Sequence, residues 1–144
     1  MLLMFCELPE GYKPSYNEPF MSVQQREYFR RRLLAWRDEI LQHTMDTRCH
    51  LQEDKLHEPD DMDNAALEED LSIELMARDS EAKLLVKIED ALQRLENGTY
   101  GFCEATGEPI ALERLDARLV AMYCIEAQEA YECEKKLHSL IWHC

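Results

Sequence analysis

Two cysteines near the C-terminal end of the chain are spaced like the two halves of a four-ligand zinc site. Cys103 begins the segment Cys-Glu-Ala-Thr, and Cys124 begins the segment Cys-Ile-Glu-Ala. In a pair of Cys-x-x-Cys knuckles, the second ligand of each half would stand at Thr106 and at Ala127. Structural zinc prefers thiolate and imidazole ligands, and neither a threonine hydroxyl nor an alanine methyl replaces them. The sequence therefore predicts a zinc-ribbon frame that has lost half of its ligands.

Three chemical states remain open for Cys103 and Cys124. They can be reduced and partly buried, because a free thiol behaves as a small apolar side chain. They can form a weak zinc site completed by Cys133 or a histidine, although neither stands at the spacing of the lost ligands. They can also close a reversible disulfide, which is uncommon in the cytosol. We favour the reduced state and expect no stably bound zinc.

Composition limits the classes of partner. The chain has 144 residues and a formal net charge of −14, whereas binding to duplex DNA requires clustered Lys and Arg. We therefore expect a protein partner and no direct specific DNA binding. The chain shows no signal peptide and lacks the run of about 20 apolar residues that a membrane span requires. We expect a cytoplasmic protein with reduced thiols that acts as a monomer.

Two long helices are predicted between an extended N-terminal arm, residues 1–21, and Gly98. A capping-box sequence at 22–25 begins the first helix, and Asn97-Gly98 ends the second. On both helices apolar residues recur at intervals of three and four, as in a coiled coil. The first seam contains Phe29, Leu33, Trp36, Ile40, Thr44, Thr47 and Leu51, and the second contains Leu71, Leu75, Arg78, Ala82, Leu85, Ile88 or Glu89, Leu92 and Leu95.

These elements predict a mainly α fold. The loop between the helices is short, so residues 22–98 should form a long antiparallel coiled-coil hairpin. Residues 99–144 should form a small globular head, built from a degenerate zinc-ribbon-like segment and a C-terminal helix from about Ile125 to Trp142. Candidate core residues of this head are Phe102, Ile110, Leu112, Leu115, Leu119, Val120, Met122 and Tyr123.

The turn of the predicted hairpin, residues 57–66, is strongly acidic. Between Glu53 and Asp70 many acidic residues stand beside a single lysine. A solvated turn accounts for such a charge pattern in most proteins. A long hairpin with Asp60 and Asp63 at its far end would also suit a narrow channel in a partner.

The order of several motifs resembles the DksA/TraR family of bacterial RNA-polymerase secondary-channel regulators over about residues 16–136. The matching segments are PDDMDNAA at 59–66, EEDLSIEL at 68–75, RD at 78–79, YGFCE at 100–104, RLDAR at 114–118 and CIE at 124–126. The cysteine-poor frame is similar to the zinc-independent members found in some pseudomonads beside a four-cysteine form.

The resemblance implies a mechanism that involves no catalysis by this chain. Family members bind the rim of the polymerase secondary channel and insert the hairpin tip toward the active centre. With guanosine tetraphosphate (ppGpp) they destabilise promoter complexes in the stringent response. The tip residues implied for this chain are Asp60, Asp63 and Ala65.

The resemblance also implies an alarmone site between the factor and the polymerase. Lys83, Lys87 and Arg118 align with the basic residues that hold the phosphates of ppGpp. Ser80 stands where better-known members carry an arginine, and Gln128 stands where they carry a lysine. We therefore expect a weaker or differently tuned response to ppGpp.

Zinc independence would let this chain work where a four-cysteine relative fails, because zinc-dependent domains unfold when the metal is withdrawn. We expect a backup regulator for zinc starvation. Two alternatives stay open: a channel factor that stimulates transcript cleavage, whose paired carboxylates would help to hold Mg²⁺, and a structural coiled-coil adaptor. No Ser/His/Asp set, phosphate loop or HExxH motif indicates an enzyme.

Overall fold

The structure, a computed structural model, describes residues 7–56 and 64–142, except the side chains of 50–56, 64–67 and 142. Its helices are α1 (Val23–Leu56), α2 (Asn64–Asn97), α3 (Leu112–Ala117) and α4 (Ile125–Trp142). The described residues form no strand, although Phe102 and Pro109 make an isolated antiparallel bridge. The predicted mainly α fold, with a coiled coil and a zinc-finger-like region, is confirmed. None of the described helices is long and apolar enough to cross a membrane.

The chain divides into two compact units. One joins the chain up to Arg32 with the chain from Ala91 onward, and the other comprises Leu33–Asp90. Both boundaries fall inside a long helix, because grouping by packing differs from grouping by secondary structure. The predicted division at residues 21 and 98 follows secondary structure and stays a prediction.

The predicted capping sequence begins α1. Ser22 precedes the helix, and its Oγ accepts a hydrogen bond from the Gln25 N–H at 3.4 Å. The Gln25 side chain reaches back in turn and accepts the Met21 N–H at 2.8 Å. The first contact satisfies a backbone donor that the first turn of a helix leaves without a partner, and the second fixes the chain just before the helix. At the other end, Gly98 adopts a φ of 78° after α2, as expected for a helix stop.

The N-terminal arm is anchored on α3, a helix that the sequence analysis did not predict. Tyr16 donates a hydrogen bond from its hydroxyl to Glu113 Oε2 at 2.6 Å and accepts one from the Leu112 N–H at 3.0 Å. Tyr28 and Arg32 of α1 both donate to Asp116 at the other end of α3. The short helix is thus held by side chains from two distant parts of the sequence.

The core of the first unit is aromatic and aliphatic. Phe29, Tyr100, Ile110 and Leu115 are at most 1% exposed. The Tyr100 hydroxyl donates to the Leu119 carbonyl at 2.6 Å, and burial raises the pKa of this tyrosine. The predicted core positions Leu112, Leu119 and Val120 are also buried, whereas Phe102, Met122 and Tyr123 are half-buried. Apolar packing therefore supports the region in which the metal ligands were lost.

The second unit is an antiparallel helix pair, as predicted. Arg37 donates to Glu89 at 3.0 Å, and Thr44 donates to Glu81 at 3.0 Å. Higher residue numbers on α1 therefore pair with lower numbers on α2, as in an antiparallel pair. Leu33, Ile40 and Ile88 are buried in the seam near the first unit's sequence boundaries. This part of the seam follows the predicted spacing.

Farther along α2 the predicted seam was wrong at Leu71, Leu75 and Ala82, which are exposed, whereas the predicted Arg78 is half-buried. Leu71 and Leu75 are 38% and 61% exposed, whereas Glu74, Arg78 and Glu81 are half-buried. At Glu81 the facing positions on α1 are polar, because Thr44 and His43 both contact its carboxylate. Polar contacts therefore form the interface at Glu81, whereas Leu71 and Leu75 are exposed to solvent.

Glu27 is a buried acid that the structure pairs with two arginines. Its side chain is 5% exposed and lies 2.9 Å from the Nε of Arg30 and 2.9 Å from the Nε of Arg31. The hydrogen bonds from Arg30 lower the pKa of the Glu27 carboxyl, with a further contribution from Arg31, and they outweigh the opposing effect of burial. The folded state therefore favours the ionised carboxylate.

We expect Glu27→Gln to lower the free energy of unfolding by about 1.5–3 kcal/mol at pH 7, the range for hydrogen bonds to charged groups. Because folding lowers this pKa, the stabilisation is complete above the pKa of the unfolded chain and is lost as pH falls through the folded value. Urea unfolding at several pH values measures the effect. The gap between wild type and variant should narrow in acid, and Glu39→Gln, an exposed change on the same helix, should produce no gap.

Candidate functional site

The zinc-ribbon frame survives as a hydrogen-bonded loop. Cys103 donates its N–H to the Glu108 carbonyl at 2.8 Å, and its own carbonyl accepts the Gly107 N–H at 2.8 Å. The neighbouring Glu104 N–H donates to the carbonyl of Met122 at 2.9 Å, which joins the two predicted halves of the ribbon. Backbone contacts alone thus place the two halves side by side.

The sulfur of Cys103 lies in a cluster of hydrogen-bond donors. Cys103 is 2% exposed, and this burial raises its pKa. The Thr106 hydroxyl and the N–H groups of Cys124, Thr106 and Ala105 all donate to the sulfur, and together they lower its pKa to about 6. Hydrogen bonds to the charged form favour that form, so a thiolate is stabilised at neutral pH.

Thr106 therefore has a role that the sequence analysis did not assign. It stands at the position of a lost zinc ligand and donates to the retained one. Its oxygen also accepts the Glu108 N–H at 3.3 Å, which closes the turn. The Thr106 hydroxyl thus adds a fourth donor to the three backbone N–H groups around this buried sulfur. The Thr106 hydroxyl is visible in the sequence, where it was considered only as a poor zinc ligand and not as a hydrogen-bond donor to the cysteine.

The donor set does not fit a structural zinc ion. Of the four ribbon positions only Cys103 and Cys124 carry a ligand, and Ala127 offers none. Across residues 7–56 and 64–142, no group of three or more His, Cys, Asp or Glu side chains could hold a metal ion. Cys133 is a free, exposed thiol on α4.

The predicted hairpin tip is only partly covered by the structure. Asp60 and Asp63 lie outside the described residues. Ala65 lies in the first turn of α2, whose side chains begin to be described at Glu68. Their role stays a prediction.

The three predicted alarmone-binding cations are all exposed. Lys83 and Lys87 lie one turn apart on α2, and the Lys83 ammonium is 3.0 Å from Asp79. Arg118 follows α3 in the other unit, where its backbone N–H donates to the Arg114 carbonyl at 2.8 Å. The structure thus groups the two lysines on one helix, where Asp79 partly neutralises the charge of Lys83.

Comparison with known proteins decides the family. One family model, described as DnaK suppressor protein DksA, N-terminal domain, matches residues 25–95, and a second, the prokaryotic dksA/traR C4-type zinc finger, matches residues 98–133. The chain belongs to the DksA/TraR family. Together the two matches cover the helix pair and the ribbon.

Relatives within the DksA/TraR family match over most of their length. The RNA polymerase-binding transcription factor DksA of Caulobacter vibrioides is 48% identical over 127 residues, which is 88% of this chain and 89% of the relative. The protein of the same name from Escherichia coli K12 is 39% identical over 127 residues, 88% of this chain and 84% of the relative.

Among solved structures, transcription factor DksA2 from Pseudomonas aeruginosa resembles this chain. The two are 40% identical with a TM-score of 0.69, over 78% of this chain and 86% of the other. The predicted resemblance to DksA proteins, including the pseudomonad paralogue, is confirmed. The chain thus keeps the DksA frame and its C4-type finger segment while lacking two of the four ribbon cysteines.

Proposed function

We propose that this protein is a transcription regulator that binds the secondary channel of bacterial RNA polymerase in the cytoplasm and is not itself an enzyme. The observation that carries the proposal is 48% identity, over 88% of the chain, to an RNA polymerase-binding transcription factor. The antiparallel helix pair supports it, because a narrow element of two helices is suited to entering a channel. In this mechanism Asp60, Asp63 and Ala65 face the polymerase active centre, where the carboxylates change the local electrostatic field and Ala65 permits close approach.

The regulator works with ppGpp at the polymerase interface in this proposal. Lys83, Lys87 and Arg118 contact the phosphates, for which cationic donors are the expected partners. Asp79 already lies beside the Lys83 ammonium, and an uncharged serine stands at position 80. Each feature reduces the positive charge available to the alarmone. A ppGpp effect smaller than that of relatives with a fuller basic set is therefore expected.

The regulator also works without zinc, as a backup for a four-cysteine paralogue during zinc starvation. The support is the Cys103 sulfur, which receives its hydrogen bonds from Thr106 and from backbone N–H groups. A domain held in this way does not derive its folding free energy from metal binding, so chelation leaves it intact.

Transcription in vitro from a ribosomal RNA promoter tests the proposal. Purified protein is added to bacterial RNA polymerase with and without ppGpp, and with and without a zinc chelator. We expect repression that deepens with ppGpp and is unchanged by the chelator. A zinc-containing DksA relative, in parallel, shows that the chelator treatment is effective.

Each failure has its own meaning. An absence of any effect on transcription, with no binding to polymerase, would leave a structural adaptor. Stimulated cleavage of a backtracked transcript would instead indicate the cleavage-factor class. Repression that disappears on chelation would refute zinc independence alone.

A further inference from the structure

A small aromatic cleft lies in the first unit, at the turn that follows α2. Its volume is about 230 Å³, and its walls are formed by Phe20, Tyr100, Phe102 and the thioether of Met21. The rings of Phe20 and Phe102 meet edge to face, with centroids 5.4 Å apart. The backbone turn at Gly98 completes the lining.

A cation also lines the cleft. Arg26 of α1 is half-buried, and its Nε–H is shielded from solvent with no hydrogen-bond partner. Buried donors are nearly always paired in folded proteins, so an unpaired one requires an explanation. The next residue, Glu27, forms ion pairs with Arg30 and Arg31 and not with Arg26.

A second guanidinium repeats the pattern beside the same wall. Arg94 lies 5.8 Å from the centroid of the Tyr100 ring, and its Nε and Nη1 are also buried without hydrogen-bond partners. Neither Arg26 nor Arg94 forms an ion pair among the described residues, although the chain carries a net charge of −14 and offers many carboxylates. Arg26, which lines the cleft and forms no ion pair among the described residues, is therefore complementary to an external anion.

The size of the cleft indicates what kind of ligand it accepts. Clefts that enclose a nucleotide or another drug-sized molecule typically measure about 300–1,000 Å³. This cleft is smaller and has room for one large apolar side chain. Protein interfaces concentrate binding energy where an aromatic or aliphatic anchor enters such a pocket beside an arginine. An anchor on a protein partner therefore fits better than a free cofactor.

We propose that this cleft docks a segment of a partner protein in which an apolar side chain is followed by a carboxylate. The apolar side chain packs in the cleft against the rings of Phe20 and Phe102, and the carboxylate pairs with the Arg26 guanidinium. This inference goes beyond the proposed function, because it concerns neither the hairpin tip nor the alarmone cations and does not depend on polymerase being the partner.

A dipeptide titration followed by NMR tests the proposal. The full ¹⁵N-labelled chain is titrated with N-acetyl-Phe-Glu-amide, and the signals of the Gly98 and Gly101 amides and of the Arg26 Nε–H are recorded. We expect saturable shifts with millimolar affinity. N-acetyl-Phe-Gln-amide and N-acetyl-Ala-Glu-amide should each bind about tenfold more weakly, because each removes one of the two contacts.

A matched pair of variants isolates the arginine. Arg26→Gln should reproduce the tenfold loss for the Phe-Glu dipeptide, and Arg48→Gln, an exposed change in the other unit, should bind like wild type. Comparison of the dipeptides on the wild-type chain keeps the test valid even where Arg26→Gln perturbs folding.

The proposal is overturned by any of three results. The first is a lack of saturable shifts up to a dipeptide concentration of about 10 mM, which exceeds the dissociation constant expected for such a fragment. The second is equal binding of the Phe-Glu and Phe-Gln dipeptides. The third is tight binding of phenyl phosphate without binding of the dipeptide, which would assign the cleft to a phosphorylated small molecule.

Discussion

The double substitution Asp60→Asn and Asp63→Asn is expected to reduce repression of a ribosomal RNA promoter about tenfold or more, with little change in affinity for polymerase. Asparagine keeps the size of aspartate and removes its charge. If the carboxylates act by altering the field near the active centre, the loss appears in the transition between promoter complexes, where about 1.4 kcal/mol corresponds to tenfold. Runoff transcription and a separate polymerase-binding assay measure the two effects.

Glu68→Gln with Glu69→Gln provides the matched control. It removes the same amount of charge from the exposed first part of α2 and lies close in sequence to the tip. This variant should retain most of the repression. If both double variants behaved like wild type, the acids of the turn would be ordinary solvated charges and the tip mechanism would be refuted. Equal losses in both would indicate a general charge effect.

The second large effect is a gain of metal binding. Thr106→Cys combined with Ala127→Cys restores the four-cysteine set in a frame whose halves the backbone already holds together. We expect one Zn²⁺ per chain with a dissociation constant of about 50 nM or lower, because structural zinc sites in small domains gain about 10–16 kcal/mol. Metal analysis and thermal unfolding with and without a chelator measure this.

The corresponding control is Thr106→Ser combined with Ala127→Ser, which adds no thiolate. It should bind no zinc, and its thermal unfolding temperature should be the same with and without the chelator, as in wild type. A four-cysteine variant that stayed metal-free would show that the loop has departed from the geometry that zinc requires. That result would contradict the inference that the ribbon keeps the backbone geometry of a zinc site.

The sequence predicted the long helices well because their signals are local. The capping contacts of Ser22 and Gln25, the stop at Gly98 and the span of α4 all depend on residues close together in the chain. The family resemblance also depended on contiguous motifs. Features of this kind can be predicted from one sequence because no distant partner determines them.

Features that depend on distant partners were missed. The helix α3 has six residues, too few to show a period, and is held by Tyr16, Tyr28 and Arg32 from far along the chain. The seam of α2 shifted because Glu81 contacts residues of α1, whereas hydrophobic spacing favoured its apolar neighbours. The cleft beside Arg26 likewise joins the arm, α1 and the turn after α2.

The polar stretch of the coiled-coil seam has a consequence for motion. In this stretch Leu71 and Leu75 are exposed, and Glu74, Arg78 and Glu81 are half-buried. Separation of the two helices there exposes little buried apolar area, so it costs little free energy. Amide hydrogens of this stretch should therefore exchange through local opening, while those around Leu33 and Ile88 exchange only in larger unfolding events. A binding partner can therefore separate the helices in the polar stretch while the apolar stretch stays folded.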